Sequence, residues 1–298
     1  MVSGAHTITD SGLGNFKISI FFAFALALLK FAIAFLTGSL VIMASGLDSL
    51  LDVGSSLVNW FAMRQSIKPP DADHAYGHGK IESLAALLQS QFIALSAIYM
   101  IIEAIRRLVS GSELRYLPLG IGTMVVSLGV SMVIVYVMQQ ALKKKKALLF
   151  ETEKLHYATD ILTNGGAILA LLLSVWTRSA VWDLLISLVL VGYILITAAR
   201  IFKESADELT DRSLPRSAIH DMKKIILNYH PAVTGIHQFR TRKVGERIFV
   251  DFHVEITGEK NFENAHSLTE EIIKAIQKEY PKADVTAHCD PEDDRPWK

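Results

Sequence analysis

The chain has 298 residues, 51% of them hydrophobic, and 30 basic side chains balance 30 acidic ones. A mean hydropathy of +0.32, with the apolar residues gathered into long runs, excludes an ordinary soluble domain. The neutral balance gives no pointer to nucleic acid, and the single cysteine, Cys289, excludes both an internal disulfide framework and a CxxC-type zinc site.

The first apolar run, near Phe16 to Leu36, is too long for a signal-peptide core and lacks a small-residue cleavage site, so it reads as a first transmembrane helix. Runs long enough to span a bilayer recur near 40–63, 82–105, 118–141, 154–176 and 180–201, which predicts six spans in all. The second span contains SGLDSLLDVGSS, with Asp48 and Asp52 four residues apart and therefore on one helix face. The connection that follows, PPDADHAYGHGKIES, sets His74 and His78 at the same spacing, with Asp71 three residues ahead and Asp73 as a competing carboxylate. Gly77 and Gly79 permit a bend there that lets short side chains converge on a metal, although a solvated loop with incidental histidines reads the same way.

The fifth span repeats the pattern of the second. KLHYATDILTNGG places His156 and Asp160 on one face. Ionisable groups inside a bilayer are costly and normally face protein or a water-filled path. Bringing the two faces together yields a cage of three carboxylates and one imidazole, suited to a tetrahedral divalent metal. Asn59, Gln89, Gln91 and Asn164 make the second, third and fifth spans the ones expected to face one another.

Loop charge sets the orientation. Arg64, Lys68 and Lys80 lie in one connection, Lys143, Lys144, Lys145, Lys146 and Lys154 in another, and Arg200 and Lys203 follow the last span. The opposite-side connections are short and less basic, with Arg106, Arg107, Arg115 and Arg178 diluting the asymmetry. Both termini are expected to be cytoplasmic. The lysine run reads as a topology determinant and headgroup anchor.

From about Leu209 the periodicity changes, which divides the chain into a six-helix transmembrane domain, 1–208, and a polar domain, 209–298. Pro215 opens a helical pattern running to about Tyr229. Strand patterns at Gly235–Lys243 and Arg247–Thr257 flank the turn Val244-Gly245-Glu246. A helix is expected over Glu263–Tyr280 and a short strand over Asp284–His288. The order αββαβ predicts a small α+β domain with its helices on one face of the sheet. His237, His253, His266 and His288, with Asp290, stand at element positions that such a fold can bring together as a second metal site.

These motifs together resemble the cation diffusion facilitator family, and specifically its bacterial zinc/proton antiporter branch. The likeness rests on LDSLLD, HYATD, the D-x-x-H-x-x-x-H-G-K-x-E run over 71–82, and the dispersed set ending in His288-Cys289-Asp290. It covers residues from about 15 to 290. The resemblance implies a homodimer of six-helix protomers in a bacterial inner membrane, each with a cytoplasmic ferredoxin-like, metallochaperone-like domain. It implies that Asp48, Asp52, His156 and Asp160 form the transport site and that Asp71, His74 and His78 form a loop site. It further implies that His237, His253, His266, His288 and Asp290 form a cytoplasmic site tying the protomers together, and that Lys80 and Asp211 form an interlocking charge pair. Cys289 occupies a position that is often not a thiol.

The resemblance makes the expected activity proton-coupled efflux of a divalent transition metal, with no enzymatic reaction. Three carboxylates and a neutral imidazole favour Zn2+ as the transported substrate and structural ion, with Cd2+ or Fe2+ as alternatives. An empty cage with three carboxylates takes up protons and releases them when metal binds, and His156, with an ordinary pKa of about 6.5, is the expected coupling group. A passive channel is disfavoured, because fast conduction requires weak binding. A zinc hydrolase would need an open coordination position and a general base, and HExxH is absent. A membrane metal sensor would not need ligands at mid-membrane depth.

Overall fold

A computed structural model describes residues 9–37, 40–110, 117–144, 147–177, 181–257 and 261–291. The side chains of Asp48, Arg107, Arg115, Lys144, Lys145, Lys146 and Arg178 lie outside the described residues. The chain divides into two compact units, Met1–Ala206 and Asp207–Lys298.

Among the described residues the first unit is built from six long helices: α1 (Thr9–Thr37), α2 (Leu40–Ser66), α3 (Lys80–Ser110), α4 (Leu117–Lys144), α5 (Leu148–Thr177) and α6 (Val181–Leu209). At 1.5 Å per residue the shortest, with 27 residues, exceeds the roughly 30 Å of a bilayer's hydrocarbon core. Among the described residues, Leu13–Ile33, Lys80–Tyr99 and Met124–Lys143 are apolar enough throughout to qualify as spans on composition alone. In contrast, α2 and α5 interrupt their apolar runs with Asp52 and Asn59 and with Glu153, His156 and Asp160.

Phe16, Met63, Ile134, Met138, Leu149, Phe150 and Ile194 are completely buried, and the rings of Phe16 and Phe150 stack at 5.1 Å. Phe21, Phe35, Leu51, Val58, Phe92, Tyr136 and Val189 point outward instead. So many large exposed apolar side chains are unfavourable in water, and helices that satisfy their own backbone hydrogen bonds carry them in lipid.

The second unit follows the order α7 (Arg216–Leu227), β1 (Val233–Val244), β2 (Arg247–Ile256), α8 (Phe262–Glu279), β3 (Ala283–Pro291). Each element ends within a few residues of its expected position, the last strand being the longest extension. Pro215 is the N-cap of α7, while the Asn261 carboxamide caps α8 by accepting the Glu263 N–H at 3.0 Å. The sheet runs β1-β2-β3, with β1 antiparallel and β3 parallel to the central β2. Gly245 turns the hairpin at φ 59°, a left-handed conformation that costs glycine no Cβ clash.

Alternation along β2 sends Val250, Phe252, Val254 and Ile256 into a core with Met222, Ile226, Ile272 and Ile276 from the two helices. The same alternation turns His253 and Glu255 to the other face of the sheet.

Candidate metal centres

In the helical unit, the faces of α2 and α5 meet as the i, i+4 spacings require. Asp52 Oδ1 lies 3.0 Å from His156 Nε2, both side chains being largely buried. Asp52, His156 and Asp160 each offer a ligand atom, and these atoms lie within 4.8 Å of one another. The backbone carbonyl of Asp160 accepts a hydrogen bond from Asn164 Nδ2 at 2.7 Å. Asp48 belongs to α2 one turn before Asp52, and its side chain is outside the described residues.

The loop before α3 forms a second group. Asp71 Oδ1 accepts the N–H groups of His74 at 2.7 Å and Asp73 at 3.1 Å. The carboxylate also lies 3.3 Å from His74 Nδ1 and 3.2 Å from His78 Nε2. Gly77 closes the turn at φ 85°, donating its N–H to the His74 carbonyl, and the two imidazole centroids stand 4.4 Å apart. The backbone N–H of His74 holds the Asp71 carboxyl below its ordinary value of 3.8. Partial desolvation opposes the shift and the His78 imidazole reinforces it. Asp73, the competing carboxylate, enters through its backbone rather than its side chain.

In the α/β unit, strand register supplies the third group. His237 pairs with His253 across β1 and β2, and His253 pairs with His288 across β2 and β3. Three imidazoles therefore stand in a row on the sheet, with centroids 5.0 and 4.9 Å apart. Asp290, two residues beyond His288 on the same face, reaches all three. Its Oδ2 lies 3.0 Å from His237 Nε2 and 2.8 Å from His253 Nδ1, and its Oδ1 lies 3.2 Å from His288 Nε2. His237, His253 and Asp290 form the compact ligand set, and His288 stands beside it, more exposed. Two imidazoles and a carboxylate match the preference of a borderline divalent ion such as Zn2+.

His266 lies apart from this group within the protomer, exposed on α8 and stacked on Phe262 at 5.9 Å. Cys289 points away from the histidine row and packs against the hydrophobic core. Asp211 is 3.4 Å from Arg242 Nη1, an ion pair inside its own unit.

Two carboxylates in these surroundings escaped the sequence reading. Glu255 Oε1 lies 3.0 Å from His237 Nδ1, so the ring is held between Glu255 and Asp290. It sits two residues after His253 on an alternating strand, which is the signal that locates it. Glu153, three residues before His156 on α5, is completely buried. Any acidic residue one turn from a ligand in an apolar run is a signal of the same kind.

A bundle of long apolar helices with an imidazole–carboxylate group between two of them, followed by a ligand-bearing αββαβ unit, defines a membrane transporter for metal cations. The first unit matches the cation efflux transmembrane domain over residues 16–210, and the second matches the cytoplasmic domain of cation efflux proteins over residues 214–292. The chain belongs to the cation efflux family, the cation diffusion facilitators. It is an integral membrane protein of cation efflux and not an enzyme.

Among its relatives is the cation-efflux pump FieF of Salmonella arizonae, 35% identical over 271 residues, covering 90% of this chain and 89% of that one. FieF of Yersinia pestis is 37% identical over 255 residues, covering 86% of this chain and 84% of the other. Two similar solved structures each cover little more than a quarter of this chain. The metal-bound C-terminal domain of the CzcD transporter from Thermotoga maritima is 33% identical, covering 26% of this chain and 94% of that one, with a TM-score of 0.23. The zinc form of CzrB is 27% identical, covering 29% of this chain and 99% of that one, with a TM-score of 0.26.

Proposed function

We propose that this protein exports Zn2+ from the cytoplasm in exchange for protons, by alternating exposure of the site between α2 and α5. The observation that carries this reading is the convergence of Asp52, His156 and Asp160 inside membrane-spanning helices. Asp48, one turn away on α2, is the fourth ligand. Carboxylate oxygens joined by an imidazole nitrogen favour zinc over the all-oxygen ions Mg2+ and Mn2+, with Cd2+ and Fe2+ as the nearest competitors.

Coupling follows from the donor chemistry. A metal ion binds ionised carboxylates and a neutral imidazole, so its arrival expels whatever protons the empty site holds. Exposure to the other side lets protons displace the ion, and His156 is assigned as the coupling group. The protein works as a homodimer in the bacterial inner membrane with both termini cytoplasmic. Metal held by the His237–His253–Asp290 group braces the α/β units, with His288 beside it in the same protomer and His266 reaching it across the dimer, and Asp71, His74 and His78 bind a further ion.

The test is transport by purified protein in proteoliposomes, comparing Zn2+, Cd2+, Mn2+, Fe2+, Co2+ and Ni2+ at one fixed pH gradient. Zinc uptake that collapses with the gradient and is lost in His156→Ala is the expected result. Full gradient-driven transport by His156→Ala would overturn the coupling assignment. Uptake indifferent to the gradient would favour a passive channel.

A further inference from the structure

Beside the metal-facing layer of α2 and α5 lies a second polar layer. On α2, Asp52, Ser56 and Asn59 follow one another at i, i+4 and i+7, along a single face. On α5, Glu153, Tyr157 and Asp160 do the same. Asp52 meets His156, and one turn away the partner of Ser56 and Asn59 is Glu153.

The Glu153 carboxyl is fully buried and receives three neutral donors. Ser19 Oγ of α1 donates to Oε1 at 2.6 Å, Ser56 Oγ donates to the same oxygen at 2.5 Å, and Asn59 Nδ2 donates to Oε2. Ser56 Oγ is also 3.2 Å from Ser19 Oγ and 3.1 Å from the Tyr157 hydroxyl. One side chain thus joins three helices, two of which carry the transport ligands.

Burying an acidic side chain here is more costly than burying a leucine of similar volume, so packing alone does not account for it. The two ligand-bearing helices also approach each other closely over a short stretch only. That stretch holds the Asp52–His156 contact and the Glu153 cluster.

We propose that Glu153 is the positioning residue of the transport site, a clasp that fixes the separation and rotation of α2 against α5 and so sets which ion size the ligands accept. This rests on the transport reading given above. The clasp touches no ion. It acts as groups behind metal ligands do, by holding the ligands where a small tetrahedral ion fits and a larger one fits less well.

The experiment measures initial rates of Zn2+ and Cd2+ uptake against ion concentration, with full-length protein in proteoliposomes. The variants are Glu153→Gln, Glu153→Leu and Ser19→Ala. Leucine restores volume and removes the clasp, and supporting groups around metal ligands affect affinity by about 10- to 100-fold. Glu153→Leu should therefore raise the KM for Zn2+ by at least about tenfold, change kcat by less than about twofold, and narrow the preference for Zn2+ over Cd2+. Glu153→Gln keeps an acceptor oxygen and should restore most of the wild-type KM, and Ser19→Ala should move it slightly in the leucine direction.

A merely structural glutamate would lower the yield of folded protein and leave the KM and ion preference of the surviving protein unchanged. That outcome in Glu153→Leu overturns the proposal. If the leucine variant does not fold, an unchanged KM and ion preference in both Glu153→Gln and Ser19→Ala overturns it equally. If wild-type protein shows no saturable uptake of either ion, the transport reading itself fails, and the clasp with it.

Discussion

Asp71 shows how much one exposed carboxylate can organise. Its two oxygens gather two backbone N–H groups and approach both loop histidines. Because its pKa is depressed in the folded loop, its contribution is fully present above the ordinary value of 3.8 and is lost as pH falls through the depressed one. The amide resonance of His74, followed by NMR, should show an acid step below about pH 4, as the Asp71 carboxylate that accepts its N–H takes up a proton. In Asp71→Asn that acid step should vanish. The grouping of Asp71, His74 and His78 could be read from spacing and from Gly77, because a turn is a local structure. Asp73 could not be sorted from Asp71 in this way, since both lie within reach of a turn and only the backbone hydrogen bonds decide which side chain faces inward.

At the scale of elements, strand alternation and helix periodicity made nearly every segment of the α/β unit legible. Val250, Phe252, Val254 and Ile256 mark β2 without ambiguity, and Asn261 before the Ile272–Ile276 stripe marks the start of α8. Removing that cap in Asn261→Ala should lower the unfolding free energy of this unit by about 1 kcal/mol, read as a lower urea midpoint with unchanged slope. Register was not legible. Nothing local says that His237 stands opposite His253 and His288 beside it, because long-range pairing is fixed by the whole sheet and its bulges near Gly235 and His237. The contact between Glu255 and His237 depends on the same register. A side chain at position 235 would have to displace the Glu255 carboxylate, since an added Cβ would run into its Oε2. Among the helices, the partner of Glu82, the last residue of the loop motif, was likewise unreadable. Glu82 is buried at the start of α3 and accepts the Leu148 N–H at 2.6 Å, closing the first turn of α5.

At the scale of the whole molecule, two separate hydrophobic cores each stand beside an imidazole–carboxylate group. Metal binding to the α/β unit should therefore be visible as its own thermal event. Zinc at about 100 times its dissociation constant stabilises a single-site unit by about 2.7 kcal/mol, so chelation should lower the melting of the α/β unit. A variant combining His253→Ala and Asp290→Ala should melt at the chelated temperature with or without zinc. The apolar helices, and the meeting of Asp52 with His156 and Asp160, were legible because bilayers impose length and apolarity on every crossing helix and make its polar residues stand out. The polar seam around Glu153 was not, since it depends on how α1, α2 and α5 pack. The parallel pairing of β3 with β2 carries a consequence for folding order. The β1–β2 hairpin closes through local contacts, but β3 can join only after α8 has crossed over. The hairpin by itself thus pairs His237 with His253, whereas Asp290 comes with β3, so a hairpin without β3 holds two histidines and lacks the carboxylate that unites them. An ion that requires the Asp290 carboxylate beside the two imidazoles therefore finds that full set of atoms in the completed fold alone.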